Sequence, residues 1–416
     1  MSSQEKRASI IGHPVALGSF RSWLRLVRRS GGIDRAYVPR FLAVSLSTLL
    51  TSPLRLYETA RYGRAIRRTE IHRAPIFIVG HWRTGTTHLH NLLCEDRQFG
   101  YVSTFQAMAP GFCLMGEKRI KPLLAQRIQK DYPTREIDNI PLLLDAPQEE
   151  SFALANMSPC ASLHVYSLPR QAPAIFARYA LHQGLSAAER AEWIDTYLTL
   201  LRTATLRCAG KRLVLKDPAN TGRIPTLLAL FPDAKFIHIC RDPYRVFPSM
   251  VGVYRVVLSR AQLQDVSPEQ IEDLVLRFYA QLMRKFLEER SLIPPANLIE
   301  VRYEDLEADP IGQLRRVYEG LRLTGFAAAE PAFRAYLDSV RGFEKNPYRV
   351  DDAVIEKVNR HWQFAFDAWG YERLQPLAAA GGFSGRGAPA RPGRAGFVEE
   401  NGKPETGDGK PEMNNE

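Results

Sequence analysis

The sequence predicts a three-layer α/β fold in which helices cover both faces of a central, mainly parallel sheet. Four short apolar runs alternate with helical stretches, a pattern typical of parallel sheets. The first run leads directly into a turn rich in glycine and threonine, and a helical pattern follows that turn. The chain has 416 residues, of which 45% are apolar and 24% charged, so it can bury a large core.

The first 73 residues are strongly basic, and we predict that they form a helical N-terminal arm. They carry fourteen Lys/Arg against four Asp/Glu, a balance of +10, whereas the whole chain has a net charge of +11. Because the body is nearly neutral, we expect no nucleic-acid partner. Helical spacing places Phe20, Trp23, Leu24 and Val27 on one face beside several arginines. Such a helix fits two interpretations, packing against the body or lying on an anionic membrane.

The apolar segments are too short or too interrupted for the roughly 18 residues that a membrane-spanning helix needs. The nearest approach is residues 41–54, where Ser, Thr and Pro53 interrupt the apolar run. Five dispersed cysteines without C-x-x-C spacing indicate reduced thiols. We therefore expect a cytoplasmic protein, with peripheral membrane contact through the N-terminal arm as an open alternative.

The four apolar runs give the predicted strands, and helices are predicted between them at residues 187–208 and 268–290. The strands are residues 76–79, 212–216, 235–240 and 298–302. In parallel sheets of this kind, ligands bind at the carboxyl ends of the strands. The residues that follow each strand are therefore the candidates for a binding site.

The segment PIFIVGHWRTGTTHL, residues 75–89, combines a buried strand, a tight turn and a helix start. Backbone N–H groups of such a turn and the positive end of the helix bind phosphate. The segment nearly matches the nucleotide-binding pattern G-x-x-x-x-G-K-[ST], but position 86 is Thr where that pattern has Lys. The nearest cation, Arg83, precedes the second glycine, so we predict a phosphate binder that is not an ordinary ATP–Mg²⁺ site.

Two later strand ends supply further candidates. The strand that ends at Lys216 is followed by Asp217-Pro218, and the next strand is followed by Arg241-Asp242-Pro243. Ser249 follows in the next helix. A guanidinium fork and a hydroxyl at one edge of the sheet can bind one anion together. The sequence thus indicates a second phosphate position.

These segments together resemble the sulfotransferase family, in the branch that includes tyrosylprotein sulfotransferases and many bacterial enzymes. Gly80–Thr87 looks like the 5′-phosphosulfate loop of that family, and Arg241 with Ser249 looks like its 3′-phosphate site. Residues 302–306, Arg-Tyr-Glu-Asp-Leu, also match, so the resemblance covers roughly residues 75–310 in the family's order. It implies a P-loop-like fold and transfer of a sulfuryl group from 3′-phosphoadenosine-5′-phosphosulfate (PAPS) to a hydroxyl or amine.

The resemblance also implies roles for individual residues. Arg83 and Lys216 would stabilise the transition state, and Tyr303 would contact the nucleotide or only cap the sheet. The residues implied for binding PAPS are Arg83, Thr84, Gly85, Thr86, Thr87, Arg241, Ser249 and Tyr303. No metal is expected, because these enzymes use cations of the protein instead.

The catalytic base is the point where this chain departs from the family pattern. Cytosolic sulfotransferases have a His after the strand-end Lys, where this chain has Asn220, and the bacterial type has a Glu where this chain has Gln106. Glu149 is therefore the provisional base. Glu150 and His81 are the alternatives for the base. The Pro147-Gln148-Glu149-Glu150 segment also has a purely structural explanation, because Pro followed by Glu is an ordinary helix start.

Three domains or segments are predicted: the arm at 1–73, a sulfotransferase domain at 74–379 and a disordered tail at 380–416. Proline-rich residues 98–184 are expected to form the acceptor pocket, for a small-molecule, carbohydrate or lipid acceptor. Residues 345–348 fit either a loop over the cofactor or a solvated turn. Alternative functions are a P-loop kinase or NTPase, and a PAPS-binding protein without catalysis.

Overall fold

Five parallel strands form a single sheet in the order β2-β3-β1-β4-β5. The computed structural model describes residues 13–131, 133–135, 137, 140–342 and 349–376. The strands are β1 (Ile76–Val79), β2 (Phe99–Gly100), β3 (Arg212–Lys216), β4 (Lys235–Cys240) and β5 (Leu298–Arg302). The four predicted strands are confirmed with the predicted bounds, and β2 was missed because two residues are too few to show a pattern.

The α-helices of the described residues cover both faces of this sheet and form the segment before it. They are α1 (Phe20–Arg28), α2 (Val38–Leu50), α3 (Ser52–Arg68), α4 (Thr86–Cys94), α5 (Thr104–Met108), α6 (Cys113–Gly116), α7 (Ile120–Asp131), α8 (Glu150–Met157), α9 (Ala172–Tyr179), α10 (Ala187–Arg207), α11 (Ile224–Leu230), α12 (Pro243–Ala261), α13 (Pro268–Glu289), α14 (Tyr303–Ala308), α15 (Pro310–Gly320), α16 (Phe326–Ser339) and α17 (Asp352–Trp369). The predicted helices at 187–208 and 268–290 correspond to α10 and α13, each one residue shorter. The predicted loop at 345–348 and the tail at 380–416 lie outside the described residues.

Alternating side chains of the central strand β1 point into two separate cores, which gives the three layers. Ile76 and Ile78 pack in the core that contains residues of α4, α15 and α16. Phe77 and Val79 pack in the larger core, which contains residues of α10, α12, α13 and α17. All four are fully buried, as expected for a strand covered on both faces. The predicted α/β architecture is therefore confirmed.

Helix α1 packs its apolar face against the body. Trp23 and Leu26 are buried in the larger core, and Trp23 Nε1 donates a hydrogen bond to Ser45 Oγ at 2.9 Å. On the polar side Arg25 forms a 2.6 Å ion pair with Glu192 of α10. The helix is therefore packed against the body, as in the first interpretation. Of its predicted apolar face, Trp23 is buried and Phe20, Leu24 and Val27 are half-buried. Leu26 was not predicted to be buried.

The sheet topology places a ligand-binding crevice beside β1. Strands β1 and β4 are neighbours, but α4, which follows β1, and α12, which follows β4, pack on opposite faces of the sheet. At such a switch point the two loops diverge and leave a crevice at the carboxyl ends of the strands. The residues that follow both strands are those predicted to bind anions.

Candidate active site

The loop after β1 has the shape of an anion cradle. The backbone turns at Gly80, which has a φ of +141°, and a Cβ atom there would lie 2.4 Å from the carbonyl oxygen of Ile239. The Gly80 N–H donates to Thr221 Oγ1 at 2.8 Å, and that hydroxyl donates to the Gly80 carbonyl at 3.0 Å. The loop ends at Gly85, after which α4 begins at Thr86. This fixed backbone presents the N-terminus of a nine-residue helix to an anion in the loop.

Within the loop, Thr84 has a structural part. Both its N–H and its hydroxyl donate to the His81 carbonyl, at 3.3 and 2.7 Å, and the residue is buried. Its polar groups therefore close the turn. By contrast, Thr86 and Thr87, the first two residues of α4, line the neighbouring cavity.

Arg83 connects the loop to the second predicted anion position. Its φ of +71° is left-handed, which is unusual for a residue other than glycine. Its Nε donates to Oγ of the buried Ser249 at 2.8 Å, and its carbonyl oxygen accepts a hydrogen bond from Arg241 Nη1 at 3.1 Å. The structure thus brings Arg83, Arg241 and Ser249 into one cluster between β1 and β4.

Tyr303, the first residue of α14, packs directly against this cluster. A Cβ atom on Gly85, which has a φ of +95°, would lie 2.2 Å from Tyr303 Cδ2, so only glycine fits there. The guanidinium carbon of Arg241 lies 4.3 Å from the centroid of the Tyr303 ring, a cation–π contact. The ring therefore holds both the loop and Arg241 in place at the strand ends.

Lys216, the last residue of β3, is paired with the provisional base. Its Nζ lies 2.6 Å from Glu149 Oε1 and donates to Thr87 Oγ1 at 3.3 Å. The lysine side chain is only 1% exposed and that of Glu149 12%, so the pair is shielded from bulk water. Lys216 lies beside Ile78 in the register of the sheet, and Glu149 is the residue that precedes α8. A cation and a carboxylate therefore meet at the start of α4.

The adjacent Glu150 has a different environment. It is fully buried, and its two carboxylate oxygens accept hydrogen bonds from the Lys216 N–H at 2.8 Å and from Asn220 Nδ2 at 2.9 Å. Burial and the nearby Asp217 raise the pKa of Glu150. It does not line the cavity described below. The structure therefore separates two neighbouring carboxylates, one facing the cavity and the other tied into the interior.

A buried network that the sequence did not reveal supports the turn after Lys216. Asp217 Oδ2 lies 3.2 Å from Arg223 Nη1, and both side chains are fully buried. Ser151 donates its hydroxyl to the same carboxylate oxygen, and Arg223 Nη1 also donates to Asn220 Oδ1 at 3.1 Å. No pattern in the sequence marks Arg223, because its partners are brought to it by the fold. Asn220, at the position of the cytosolic family's His, belongs to this network.

His81, the other alternative for the base, and Gln106, which stands where the family has its Glu, both lie outside the cavity. His81 is buried, shares a 2.8 Å hydrogen bond between its Nδ1 and the Trp82 carbonyl, and burial lowers its pKa to about 4. Gln106 is fully buried, and its Nε2 donates to the Leu200 carbonyl at 3.4 Å. Neither side chain lines the cavity. Gln106 is thus turned toward α10, so its replacement of Glu removes no group from this cavity.

A cavity of about 460 Å³ opens next to the loop. Arg83, Thr86, Thr87 and Glu149 form one polar wall. Most of the remaining lining is apolar: Ala16, Leu17, Ala107, Met108, Leu124, Ile128, Ile137, Leu142, Phe152, Leu163, Tyr166, Val253, Val256 and Val257. Its volume lies in the usual range for small-molecule sites. The arrangement suits an apolar molecule with one reactive polar group.

Residues 98–184, which were predicted to form the acceptor pocket, supply much of this lining, and two further segments contribute to it. Residues 13–17 and Ser47 come from the N-terminal segment, and Val253, Val256 and Val257 come from α12. These contributions were not predicted, because the segments are distant in sequence and carry no motif. The segment before α1 and the helix α2 are therefore part of the wall around the candidate site.

Comparison with known proteins identifies the family. A sequence profile of the sulfotransferase family matches residues 75–327. The chain belongs to the sulfotransferase family. It is 33% identical over 368 residues to omega-hydroxy-beta-dihydromenaquinone-9 sulfotransferase Stf3 of Mycobacterium bovis and of Mycobacterium tuberculosis. Each match covers 88% of this chain and 93% of the relative.

Solved structures show the same fold. The sulfotransferase STF9 from Mycobacterium avium superposes with a TM-score of 0.60 at 20% identity, covering 86% of this chain and 98% of that one. STF1 from Mycobacterium tuberculosis gives 0.58 at 20% identity, covering 81% and 91%. The predicted P-loop-like sulfotransferase fold is confirmed. The protein is thus an enzyme of sulfuryl transfer, and the kinase and inactive-binder alternatives are set aside.

Proposed function

We propose that this sulfotransferase moves the sulfuryl group of PAPS to the hydroxyl of an elongated, apolar, lipid-like acceptor. The observation that carries the proposal is the Lys216–Glu149 pair, whose Glu149 lies on the polar wall of a largely apolar cavity. The pair adjoins the anion-binding loop through the hydrogen bond from Lys216 Nζ to Thr87 Oγ1. Donor and acceptor can therefore meet at one place.

The donor side fits a molecule with two separate anionic groups. The loop from Gly80 to Gly85 and the start of α4 would hold the 5′-phosphosulfate through backbone N–H groups. Arg241 and Ser249 would hold the 3′-phosphate, with the Arg241 guanidinium stacked on Tyr303. Arg83 lies between the two positions and contacts Ser249, so it can interact with the bridging region of the donor.

In the proposed reaction the acceptor oxygen attacks sulfur in line with the phosphosulfate bond. The new O–S bond forms as the bond from sulfur to the bridging oxygen breaks, and 3′-phosphoadenosine-5′-phosphate (PAP) leaves with that electron pair. Arg83 and Lys216 would stabilise the negative charge that develops on the bridging oxygen and on the transferring group. Water is kept from the pair because both side chains are largely buried.

Glu149 is the residue proposed to take the acceptor's proton. Among the three candidates considered from the sequence it is the one whose side chain lines the cavity. Lys216 Nζ, at 2.6 Å, fixes the position of its Oε1. A carboxylate held beside the reacting hydroxyl can accept the proton as the O–S bond forms. After transfer, that proton is released from Glu149 to solvent with the departure of product.

The class of acceptor follows from the lining of the cavity. Apolar side chains from several separate segments of the chain surround the space beyond the polar wall, and they match a hydrocarbon better than a sugar. A relative that is 33% identical is named for the sulfation of an omega-hydroxylated menaquinone, which is such a molecule. We therefore propose a terminal hydroxyl on a long apolar chain as the acceptor group.

Two measurements test the donor. Isothermal titration calorimetry should show binding of PAP in the absence of metal, and no comparable binding of ATP–Mg²⁺. The Arg241→Ala variant should weaken PAP binding, whereas Arg245→Ala, at an exposed position four residues later, should not. Binding of ATP–Mg²⁺ without binding of PAP would contradict the proposed donor.

The acceptor is tested by transfer of labelled sulfate from PAPS. Long-chain prenyl alcohols with a terminal hydroxyl should be labelled, and sugars and short phenols should be labelled much more weakly. Preference for the sugars at equal concentration would contradict the proposed class. If PAP binds but no hydroxylated acceptor is labelled, the assignment of the cavity to the acceptor is wrong while that of the donor stands.

A further inference from the structure

The outer side of α2 carries a row of exposed apolar side chains with no charge among them. Val38, Leu42, Leu46, Leu49 and Leu50 follow helical spacing and lie on one face. Their exposure is high, with 58% for Leu42, 55% for Leu46 and 68% for Leu50. The opposite side of the helix is anchored in the protein, because Val44 and Thr48 are buried. The exposed row is therefore a surface on a firmly packed helix.

This surface continues onto the start of α3, where Leu56 is 72% exposed and Tyr57 is 56% exposed. Seven of the eleven large apolar residues that are exposed within the described part of the chain lie between positions 38 and 57. Scattered exposed leucines are ordinary on a protein surface, but a contiguous patch marks an interaction site. We call residues 38–57 on this side the apolar face.

The surroundings of the apolar face are basic. Beyond Tyr57, the same side of α3 carries four exposed arginines, namely Arg61, Arg64, Arg67 and Arg68. The acidic residue of this helix, Glu58, points inward, is buried, and accepts hydrogen bonds from the N–H groups of Leu114 and Met115. The exposed part of α3 therefore presents apolar and positively charged groups together. This combination is complementary to a surface with an apolar interior and anionic headgroups.

The apolar face and the cavity share helix α2, and α7, outside the apolar face, likewise has one side on the cavity and one side exposed. On α2, Ser47 lines the cavity while its neighbours Leu46 and Leu49 are exposed. On α7, Leu124 and Ile128 line the cavity while Leu123 is 68% exposed. The wall of the acceptor cavity is thus only one helix thick on the side of the apolar face. An apolar molecule that leaves a bilayer at this face has a short path to the cavity.

We infer that the apolar face lies on an anionic lipid bilayer and that the enzyme takes its acceptor from that bilayer. The inference rests on the proposed function, because it supplies the route by which an apolar acceptor reaches the cavity. No helix among the described residues is long and apolar enough to span a membrane. The helix α2 therefore rests in the interfacial plane with its leucines inserted, and the arginines of α3 contact the headgroups.

A second copy of the chain is a poorer occupant for this surface. A two-fold symmetric contact through α2 and α3 would bring the arginine rows of two α3 helices near each other. The exposed side of α3 offers no carboxylate to compensate them, since Glu58 is buried. An anionic bilayer satisfies both the leucines and the arginines, so charge complementarity selects the lipid surface.

The test is flotation of the full-length protein with vesicles of phosphatidylcholine and phosphatidylglycerol, compared with phosphatidylcholine alone. The wild-type protein should float with the anionic vesicles, and less as salt increases. The Leu46→Glu/Leu50→Glu variant should partition at least about tenfold more weakly. The matched control is Leu292→Glu/Leu374→Glu, which changes two exposed leucines elsewhere and alters the net charge equally. It should keep wild-type partitioning.

Other outcomes decide against the inference. Absence of wild-type flotation, or equal flotation of the two double variants, overturns it. A wild-type dimer in sedimentation velocity that becomes monomeric in Leu46→Glu/Leu50→Glu, without vesicle binding, assigns the face to a second copy instead.

PAP binding and turnover of a short, water-soluble alcohol should be unchanged in the Leu46→Glu/Leu50→Glu variant. Loss of PAP binding by the wild type would defeat the proposed function separately, whatever the vesicles show.

Discussion

The proposed donor side and the proposed acceptor side of the candidate site are built in different ways. On the proposed donor side, the residues proposed to bind anions follow strands β1, β3, β4 and β5, so the hydrogen-bonded register of the sheet sets their positions. On the acceptor side, the lining comes from short helices and loops scattered between residues 13 and 260. If the proposed assignment holds, the sheet positions the residues for sulfuryl transfer, and the acceptor is selected by segments that can change without disturbing the sheet.

The largest effect should come from the pair at which the two sides meet. Lys216→Met and Glu149→Gln should each lower kcat by about 10²–10⁴-fold, because one loses a cation and the other a proton acceptor. PAP binding should stay within a few-fold of wild type for Glu149→Gln. Lys211→Met, at an exposed position on the same segment, is the control.

Steady-state kinetics with saturating PAPS measure this prediction. If Glu149→Gln keeps wild-type kcat, the base lies elsewhere. The Lys216–Glu149 pair would then not be the place where the proposed donor and acceptor sides meet.

The second effect should be confined to the donor side. Arg241→Ala should raise the PAP dissociation constant about 10–100-fold, because a charge-assisted contact to the 3′-phosphate is lost. The kcat at saturating PAPS should change much less than in the Lys216 variant. Calorimetry with PAP measures the first quantity. An equal loss in kcat would show that Arg241 acts on the transferring group instead.

The sequence also predicted the residues at the strand ends in more detail than the lining of the cavity. Short patterns at the strand ends were enough to predict the strands and the positions of the loop at Gly80–Gly85 and of Lys216, Arg241 and Ser249. The cavity could only be assigned to a broad region. Its lining depends on packing between segments that are distant in sequence, such as residues 13–17 against α12.

Gln106 illustrates what the sequence leaves open about the site. The family pattern has a Glu at this position, so the sequence alone raised the question of where the base lies. In the structure its side chain is buried against the Leu200 carbonyl and faces away from the cavity. A pattern of residue types gives no side-chain direction on the short helix α5, so the structure was needed to show that the side chain at position 106 does not line the cavity whereas that of Glu149 does.

The third effect should be confined to the acceptor side. Leu124→Trp fills part of the cavity and should lower kcat/KM for a long-chain alcohol about tenfold, with PAP binding unchanged. Leu123→Trp, at the neighbouring exposed position on α7, is the matched control and should leave kcat/KM unchanged. Competition between a long-chain and a short-chain alcohol measures the effect. Equal losses for both acceptors would mean that the cavity does not determine chain length.

The smallest catalytic effect should come from Glu150, beside the proposed base. Glu150→Gln should change kcat by only a few-fold but should lower the free energy of unfolding by about 1–3 kcal/mol at acidic pH. The reason is that Gln offers one acceptor oxygen where Glu150 accepts hydrogen bonds from both the Lys216 N–H and Asn220 Nδ2. Glu149→Gln should show the reverse, a large catalytic loss with little change in stability.

The pH dependence of unfolding separates the two carboxylates further. Burial and Asp217 raise the pKa of Glu150 above its ordinary value of 4.5, so the folded protein keeps a proton that the unfolded chain loses. The resulting stabilisation is complete below the unfolded pKa and is lost as pH rises through the folded one. Because Gln cannot lose this proton, the stability difference between wild type and Glu150→Gln should narrow as pH rises. Urea titrations at several pH values measure it, and a difference that widens with pH would show that Glu150 is held ionised by its donors.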